Sequence, residues 1–357
     1  MTESLAVYIK TLWVAFLITL GTTPVVRVLA QRLGAVDYPG RTRPHARPTP
    51  RMGGLAVFLG FVGSLLYFDL LTDKQLGVIM GGCLVVMIGL VDDVRGLPAT
   101  VKLLLLVGIT YLLSRYGIIL SLFDNYHLNL IFTLLWVVGV VSAFNASDTM
   151  DGLAAGLAFI AGFTFMLVSI QTYQWAWGLL ACALMGSTLA FLRYNYNGAS
   201  IFLGDSGSFF LGYVLATLGV MGEWSTHPIK ASIVPILILG VIILDFLYTL
   251  GKRYLSGTTR GITEAITYHG VDHLPHRLVA MGFSRHEAVL IIYLVSLTAS
   301  MSATVLRNAR PIDALFLLFQ FFLIFLVVTK LIMTKHTEIG RVPGLLGTKE
   351  ETLREHS

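Results

Sequence analysis

A set of aspartates stands at the ends of long apolar runs: Asp92 with Asp93, Asp148 with Asp151, Asp205, and Asp272 beside His273 and His276. Carboxylates in such places are costly to desolvate and generally face a polar cavity. Acids unaccompanied by cysteine are hard oxygen donors. They suit Mg2+, with Mn2+ as second choice, and Mg2+ commonly arrives on substrate phosphates. Cations lie close by in sequence: Lys102 one loop beyond Asp93, Arg193 near Asn195, and Arg277 after His276. Such groups clamp phosphate. Acids for a metal together with bases for phosphate point to phosphoryl transfer.

Asp148 and Asp151 are three residues apart, so a helix beginning near Ser147 places both on one face, with Asn145 or Ser147 as its cap. Asp205 sits in Phe202-Leu203-Gly204-Asp205-Ser206-Gly207-Ser208, where glycines on either side of the acid suit a tight turn and close ligand approach. Plainer readings stand beside these. Asp92 and Asp93 can mark the membrane interface, Asp148 and Asp151 can be first-turn acids of a helix, and the loop histidines can simply be solvated. Zinc is disfavoured because no cysteine joins the loosely spaced His269, His273 and His276. Gly204-Asp205-Ser206-Gly207 matches a serine-protease signature, but nothing here offers that all-β fold.

The elements that must hold these residues are membrane helices. The chain has 357 residues, of which 55% are hydrophobic and 13% charged, and its mean hydropathy is +0.78. A soluble domain carries about 25% charged residues. A span needs about 20 apolar residues, and about eleven candidates run near 5–29, 52–71, 75–91, 101–121, 129–145, 152–171, 175–193, 207–222, 231–250, 287–305 and 312–334. The first lacks a basic start and reads as a retained helix, not a signal peptide. Of the 25 Lys and Arg residues, about 19 fall on one side of this topology, which makes that side cytoplasmic. The expectation is an all-α polytopic membrane protein with the N-terminus outside and the C-terminus inside. It forms one domain, 1–357, with a cytoplasmic loop at about 251–286 and a tail at about 335–357. Every aspartate named above then lies on the cytoplasmic side. The net charge of +5 is spread over short loops, as orientation requires, so nucleic acid is not an expected partner. Cys83 and Cys182 lie inside apolar runs and read as buried small residues.

Five motifs, in order, resemble the polyprenyl-phosphate N-acetylhexosamine-1-phosphate transferases. They are Pro48-Thr49-Pro50-Arg51-Met52-Gly53-Gly54; Gly89-Leu90-Val91-Asp92-Asp93 with Lys102 downstream; Ala143 to Leu153 around Asn145, Asp148 and Asp151; Phe191-Leu192-Arg193-Tyr194-Asn195 leading into Ile201 to Ser208; and His273-Leu274-Pro275-His276-Arg277-Leu278. Thr149 stands where that family usually has glycine, and Gly198 where proline is common. Pro275 replaces the middle histidine of the usual run, which turns the likeness away from the phospho-N-acetylmuramoyl-pentapeptide branch.

The resemblance implies transfer of a hexosamine-1-phosphate, GlcNAc-1-phosphate by default, from a UDP-N-acetylhexosamine to undecaprenyl phosphate on the cytoplasmic face of the bacterial inner membrane. It implies catalytic roles for Asp92, Asp93, Asp148, Asp151 and Lys102. Asn145, Asn195, His273, His276 and Arg277 become substrate-binding residues, and Asp205, Asp92 and Asp151 become Mg2+ ligands. A homodimer is consistent with it. The competing class is a transporter or lipid flippase, which predicts charges and broken helices near the membrane midplane.

Overall fold

The structure, a computed structural model, describes residues 2–39, 47–68, 71–225, 227–259, 261, 270, 272–306 and 309–339. His269, most of the segment 260–271 and the tail beyond 339 lie outside the described residues. The elements in chain order are α1 (Thr2–Arg32), β1 (Val36–Asp37), β2 (Thr49–Pro50), α2 (Gly53–Tyr67), α3 (Asp73–Arg95), α4 (Ala99–Ser114), α5 (Tyr126–Ser147), α6 (Leu153–Gln171), α7 (Trp175–Asn195) and α8 (Gly204–Met221). There follow α9 (Pro228–Ile238), α10 (Gly240–Leu255), α11 (Leu274–Ala280), α12 (Arg285–Val305) and α13 (Pro311–Ile339).

All the apolar runs become helical, but not all are long enough to span alone. By length and apolarity seven described helices can cross a membrane: α1, α3, α5, α6, α7, α12 and α13. An eighth arises if α9 and α10, bent by 77° at their junction, count as one. The run near 231–250 is this broken pair. Pro235 lies inside α9, where it removes one backbone donor, and α10 begins afresh at Gly240. Helices α2 and α4 are apolar but have only 15 and 16 residues. Helix α8 has 18 and opens on polar Asp205, Ser206 and Ser208.

Large apolar side chains cover the outside, among them Leu17 on α1 and Phe316 on α13, both more than 60% exposed. In a water-soluble protein such a surface would aggregate, whereas in lipid it is the expected one. The centre is α8, buried along almost its whole length between α3 and α5 and touching α2. A helix apolar all round belongs in the interior. Small residues let its polar start come close to its neighbours: a side chain at Gly54 would collide with the Gly207 backbone, and one at Gly89 with the Ser206 backbone.

The short antiparallel ladder pairs Val36 with Pro50 and Asp37 with Thr49. It ties the chain after α1 to the start of α2 and leads directly into Arg51. The capping boxes Thr72–Gln75 and Ser284–Glu287 fix where α3 and α12 begin. Asp148 and Asp151 do not share a helical face. Helix α5 continues through Ser147 with Asp148 as its C-cap, and α6 starts only after Gly152, whose φ of 77° is left-handed. Asn145 and Ser147 are therefore last-turn residues of α5, and the two acids stand on the turn between helices.

Candidate active site

The C-terminal ends of α3, α5, α7 and α10 and the N-terminal ends of α4, α6, α8 and α12 meet around one cavity of about 920 Å³. Because residues at or beside all these ends line the one cavity, the ends lie together on one side of the bundle. The starts of α4, α8 and α12 contribute lining residues, and helix starts favour anions nearby.

Lys102, in the first turn of α4, is the hub of one wall. Its Nζ donates to Asp92 Oδ2 at 2.8 Å and to Asp205 Oδ2 at 2.9 Å. It also lies 5.6 Å from the centre of the Phe209 ring. Asp92 Oδ1 accepts from the Leu97 amide, which locks the acid to the α3–α4 turn. All three partners of this triad are at least three-quarters buried, so the attraction is little screened by solvent.

Asp93 faces the other way. Its Oδ1 accepts from the Asp205 amide at 2.8 Å, and its Oδ2 accepts from Ser206 N at 3.2 Å and Ser206 Oγ at 2.7 Å. It is buried, and it does not line the cavity. Both of its oxygens serve orphan donors at the start of α8.

The turn between α5 and α6 forms a second wall. Asp151 Oδ2 accepts from Gly198 N at 3.2 Å and Ala199 N at 2.9 Å. Asn195, buried, accepts from Gly152 N at 2.9 Å and donates to Ile201 O at 3.0 Å, using both ends of its amide. Asn145 Nδ2 donates to Ser208 Oγ at 3.0 Å. Asp148 also lines the cavity; its pKa is pushed up to about 7, first by burial and then by the negative charge of Asp205, with Arg51 pulling the other way.

The third wall is basic. Arg253 at the end of α10 is buried and pairs with Asp272 through Nε–Oδ2 at 2.8 Å and Nη2–Oδ1 at 2.6 Å. Burial works to raise the Asp272 pKa, but this pairing outweighs it and holds the acid below the usual carboxylate range. His273, His276, Arg285 and His286 line the same wall. His276 is held below its ordinary pKa, mainly by burial and then by its neighbours His273 and Arg285.

Of the cations singled out from sequence, Lys102 alone is at the cavity. Arg193 is exposed outside it. Arg277 is buried away from it, donating to Asp245 Oδ1 at 3.1 Å, Thr249 Oγ1 at 3.0 Å and the Asp272 carbonyl at 2.7 Å, and stacking 4.5 Å from the Tyr248 ring. Asp37, Arg51, Arg253, Arg285 and His286 are lining residues that sequence reasoning did not single out. Arg51 stood inside a quoted motif. Asp245, Thr249 and Arg253 recur every four residues along α10, a polar stripe on an apolar helix that was legible.

Among the described residues no three Asp, Glu, His or Cys side chains converge closely enough to cage a metal ion unaided. Asp92, Asp205 and Asp151 nevertheless offer hard oxygen donors around one space. That donor set fits an ion held by one or two carboxylates and completed by substrate phosphate oxygens, as Mg2+ commonly is. Beside these charges the cavity has an apolar flank of Leu97, Leu103, Leu106 and Phe209. A ligand with a phosphate head and a hydrocarbon tail matches both surfaces.

Comparison with known proteins agrees with this chemistry. The profile of glycosyl transferase family 4 matches residues 75–223. The chain is 35% identical over 320 residues to a probable undecaprenyl-phosphate N-acetylglucosaminyl 1-phosphate transferase of Bacillus subtilis, covering 86% of this chain and 88% of that one. It is 32% identical to a decaprenyl-phosphate N-acetylglucosaminephosphotransferase of Mycobacterium tuberculosis, with 78% of each chain covered. A phospho-N-acetylmuramoyl-pentapeptide-transferase of Staphylococcus aureus is more distant, at 26% over 71% of this chain and 83% of the other.

Proposed function

This chain belongs to glycosyl transferase family 4, and from that premise we propose that it transfers N-acetylglucosamine-1-phosphate from UDP-N-acetylglucosamine to undecaprenyl phosphate, releasing UMP. The observation that carries this reading is the single cavity in which Asp92, Lys102 and Asp205 meet both an apolar flank and a basic wall. The product, a lipid diphosphate-sugar, would start a cell-envelope polysaccharide. The proposed setting is the cytoplasmic face of the inner membrane, with eleven spans, the N-terminus outside, the C-terminus inside, and a homodimeric assembly.

In the reaction an oxygen of the lipid phosphate bonds to the sugar-linked phosphorus. The bond from that phosphorus to the bridging oxygen breaks, and UMP leaves with that oxygen. A phosphate monoester is already largely ionised at neutral pH, its second pKa being about 6. Positioning and charge therefore matter more than a general base, and Asp92 is the group placed to take a remaining proton. Lys102 bridges Asp92 and Asp205 as a fixed cation and stabilises phosphate charge. Arg253 and His276 receive the donor diphosphate on the basic wall, and His273 steadies Arg253 there. Asn195 and Asp151 hold the α5–α6 and α7–α8 turns that frame the nucleotide, and Asn145 ties the end of α5 to the start of α8. Asp205, Asp92 and Asp151 would hold Mg2+, which when bound neutralises charge on the diphosphate. Asp93 anchors α8 and so fixes where Asp205 stands.

The test uses purified protein in detergent with undecaprenyl phosphate, Mg2+ and a panel of UDP-hexosamines, scoring lipid-linked product by mass. Product with UDP-N-acetylglucosamine that vanishes in Asp205→Ala, a loss of at least about 100-fold, supports the reading. Turnover with another UDP-hexosamine alone would keep the reaction and change the sugar. No product with any of them, from folded protein, would refute it.

A further inference from the structure

Asp245 lies on α10, is 4% exposed, and has no part in the proposed transfer. An ionisable side chain buried in a membrane helix is a marked cost unless something uses it. Here its two oxygens reach the segment that leads into α11. Oδ2 lies 2.9 Å from His273 Nδ1, while Oδ1 accepts from Leu274 N at 2.8 Å and Arg277 Nη2 at 3.1 Å.

His273 is itself buried and lines the cavity. Its second nitrogen, Nε2, lies 3.5 Å from Arg253 Nη2. A guanidinium only donates, so an Nε2 beside it is an acceptor, and the ring proton belongs on Nδ1, given to Asp245. Arg253 is fixed from behind in the same way by Asp272. The charged and titratable groups around the His273 ring are Asp245 and Arg253 from α10, and Asp272, His276 and Arg277 from the segment into α11. Asp245 is the only one of these within hydrogen-bonding distance of Nδ1 among the described contacts.

We propose that Asp245 is a positioning residue for the transfer: it fixes the ring and tautomer of His273, so that Nε2 accepts from Arg253 and holds that guanidinium at the cavity wall, where its remaining N–H groups meet the donor diphosphate. The inference rests on the transferase reading. A carboxylate behind a working histidine sets its orientation without touching substrate, and losing such a partner typically costs about 10–100-fold.

The experiment labels histidine with 15N in the full-length protein in lipid nanodiscs and assigns the His273 signal by difference from His273→Gln. The wild-type proton is expected on Nδ1. In Asp245→Asn the population should move toward Nε2, and kcat should fall about 10–100-fold, with a smaller change in KM for the UDP-sugar. Thr249→Val removes a different partner of Arg277 from the same contact and should change neither tautomer nor turnover. A wild-type proton on Nε2, full turnover in Asp245→Asn, or an equal loss in Thr249→Val would each overturn the proposal. Should Asp245→Asn fail to fold, the wild-type tautomer and Thr249→Val still decide. A wild type that makes no lipid product would refute the transferase reading, while its tautomer would still report on Asp245.

Discussion

Asp92 and Asp93 are adjacent in sequence, yet Asp92 Oδ2 meets Lys102 at the cavity while both oxygens of Asp93 are held at the start of α8. Their substitutions should therefore separate. Asp92→Asn should lower turnover by roughly 10²–10⁴-fold with little loss of folding stability. Asp93→Asn leaves buried donors of α8 short of an acceptor, and thermal unfolding should reveal a loss of about 1–3 kcal/mol. Asp148 supplies a pH signature. Its pKa is pushed up to about 7 from an ordinary 3.8. Between those values the folded chain keeps a proton that the unfolded chain has released. Stability should fall as pH rises through this window and level off above about 7. Melting temperatures from pH 5 to 8, taken without divalent cations, should show that slope in the wild type and a flatter profile in Asp148→Asn. The chemical types of these residues were legible in the sequence. The division of labour between Asp92 and Asp93 was not, because it depends on which side of α3 faces α8.

Helix α8 sets the geometry of the site because its start is clamped from two sides. Gly54 of α2 and Gly89 of α3 lie so close to Gly207 and Ser206 that no side chain fits, and Asp93 ties down the first amides. Gly89→Ala should shift Asp205 and reduce both turnover and melting temperature. Gly108→Ala on α4, where a side chain would meet nothing within 4 Å, should be neutral or slightly stabilising through helix propensity. Parallel measurement of both variants checks this. At this scale the helices were legible from apolar runs, and their ends from the acids that punctuate them. The α5–α6 turn was misread: three-residue spacing suits a helix, but Gly152 in a left-handed conformation delays the start of α6. Arg277 looked like a phosphate ligand because it follows His276. Its neighbours in space, Asp245 and Thr249, lie on α10 and could not be found by local spacing.

For the whole molecule, composition announced a membrane protein, and the exposed apolar surface of α1 and α13 agrees. The count of spans was harder to read, since α2, α4 and α8 are short and the α9–α10 pair is bent by 77°. Such a bend is also what a transporter would show, but the cavity acids stand at helix ends on one side of the bundle. The proposed orientation places that side in the cytoplasm. Reporter fusions should show a C-terminus accessible inside the cell and an N-terminus accessible outside. The deeper claim is that one cavity brings a lipid phosphate and a sugar nucleotide together for direct displacement. The decisive measurement is UMP release by purified wild-type protein with UDP-N-acetylglucosamine and Mg2+, before and after polyprenyl phosphate is added. No UMP before addition, and UMP equal to lipid-linked sugar after it, is the expected result. A stoichiometric burst of UMP without lipid would contradict direct displacement, because it would mean that the enzyme itself accepts the phosphoryl group first.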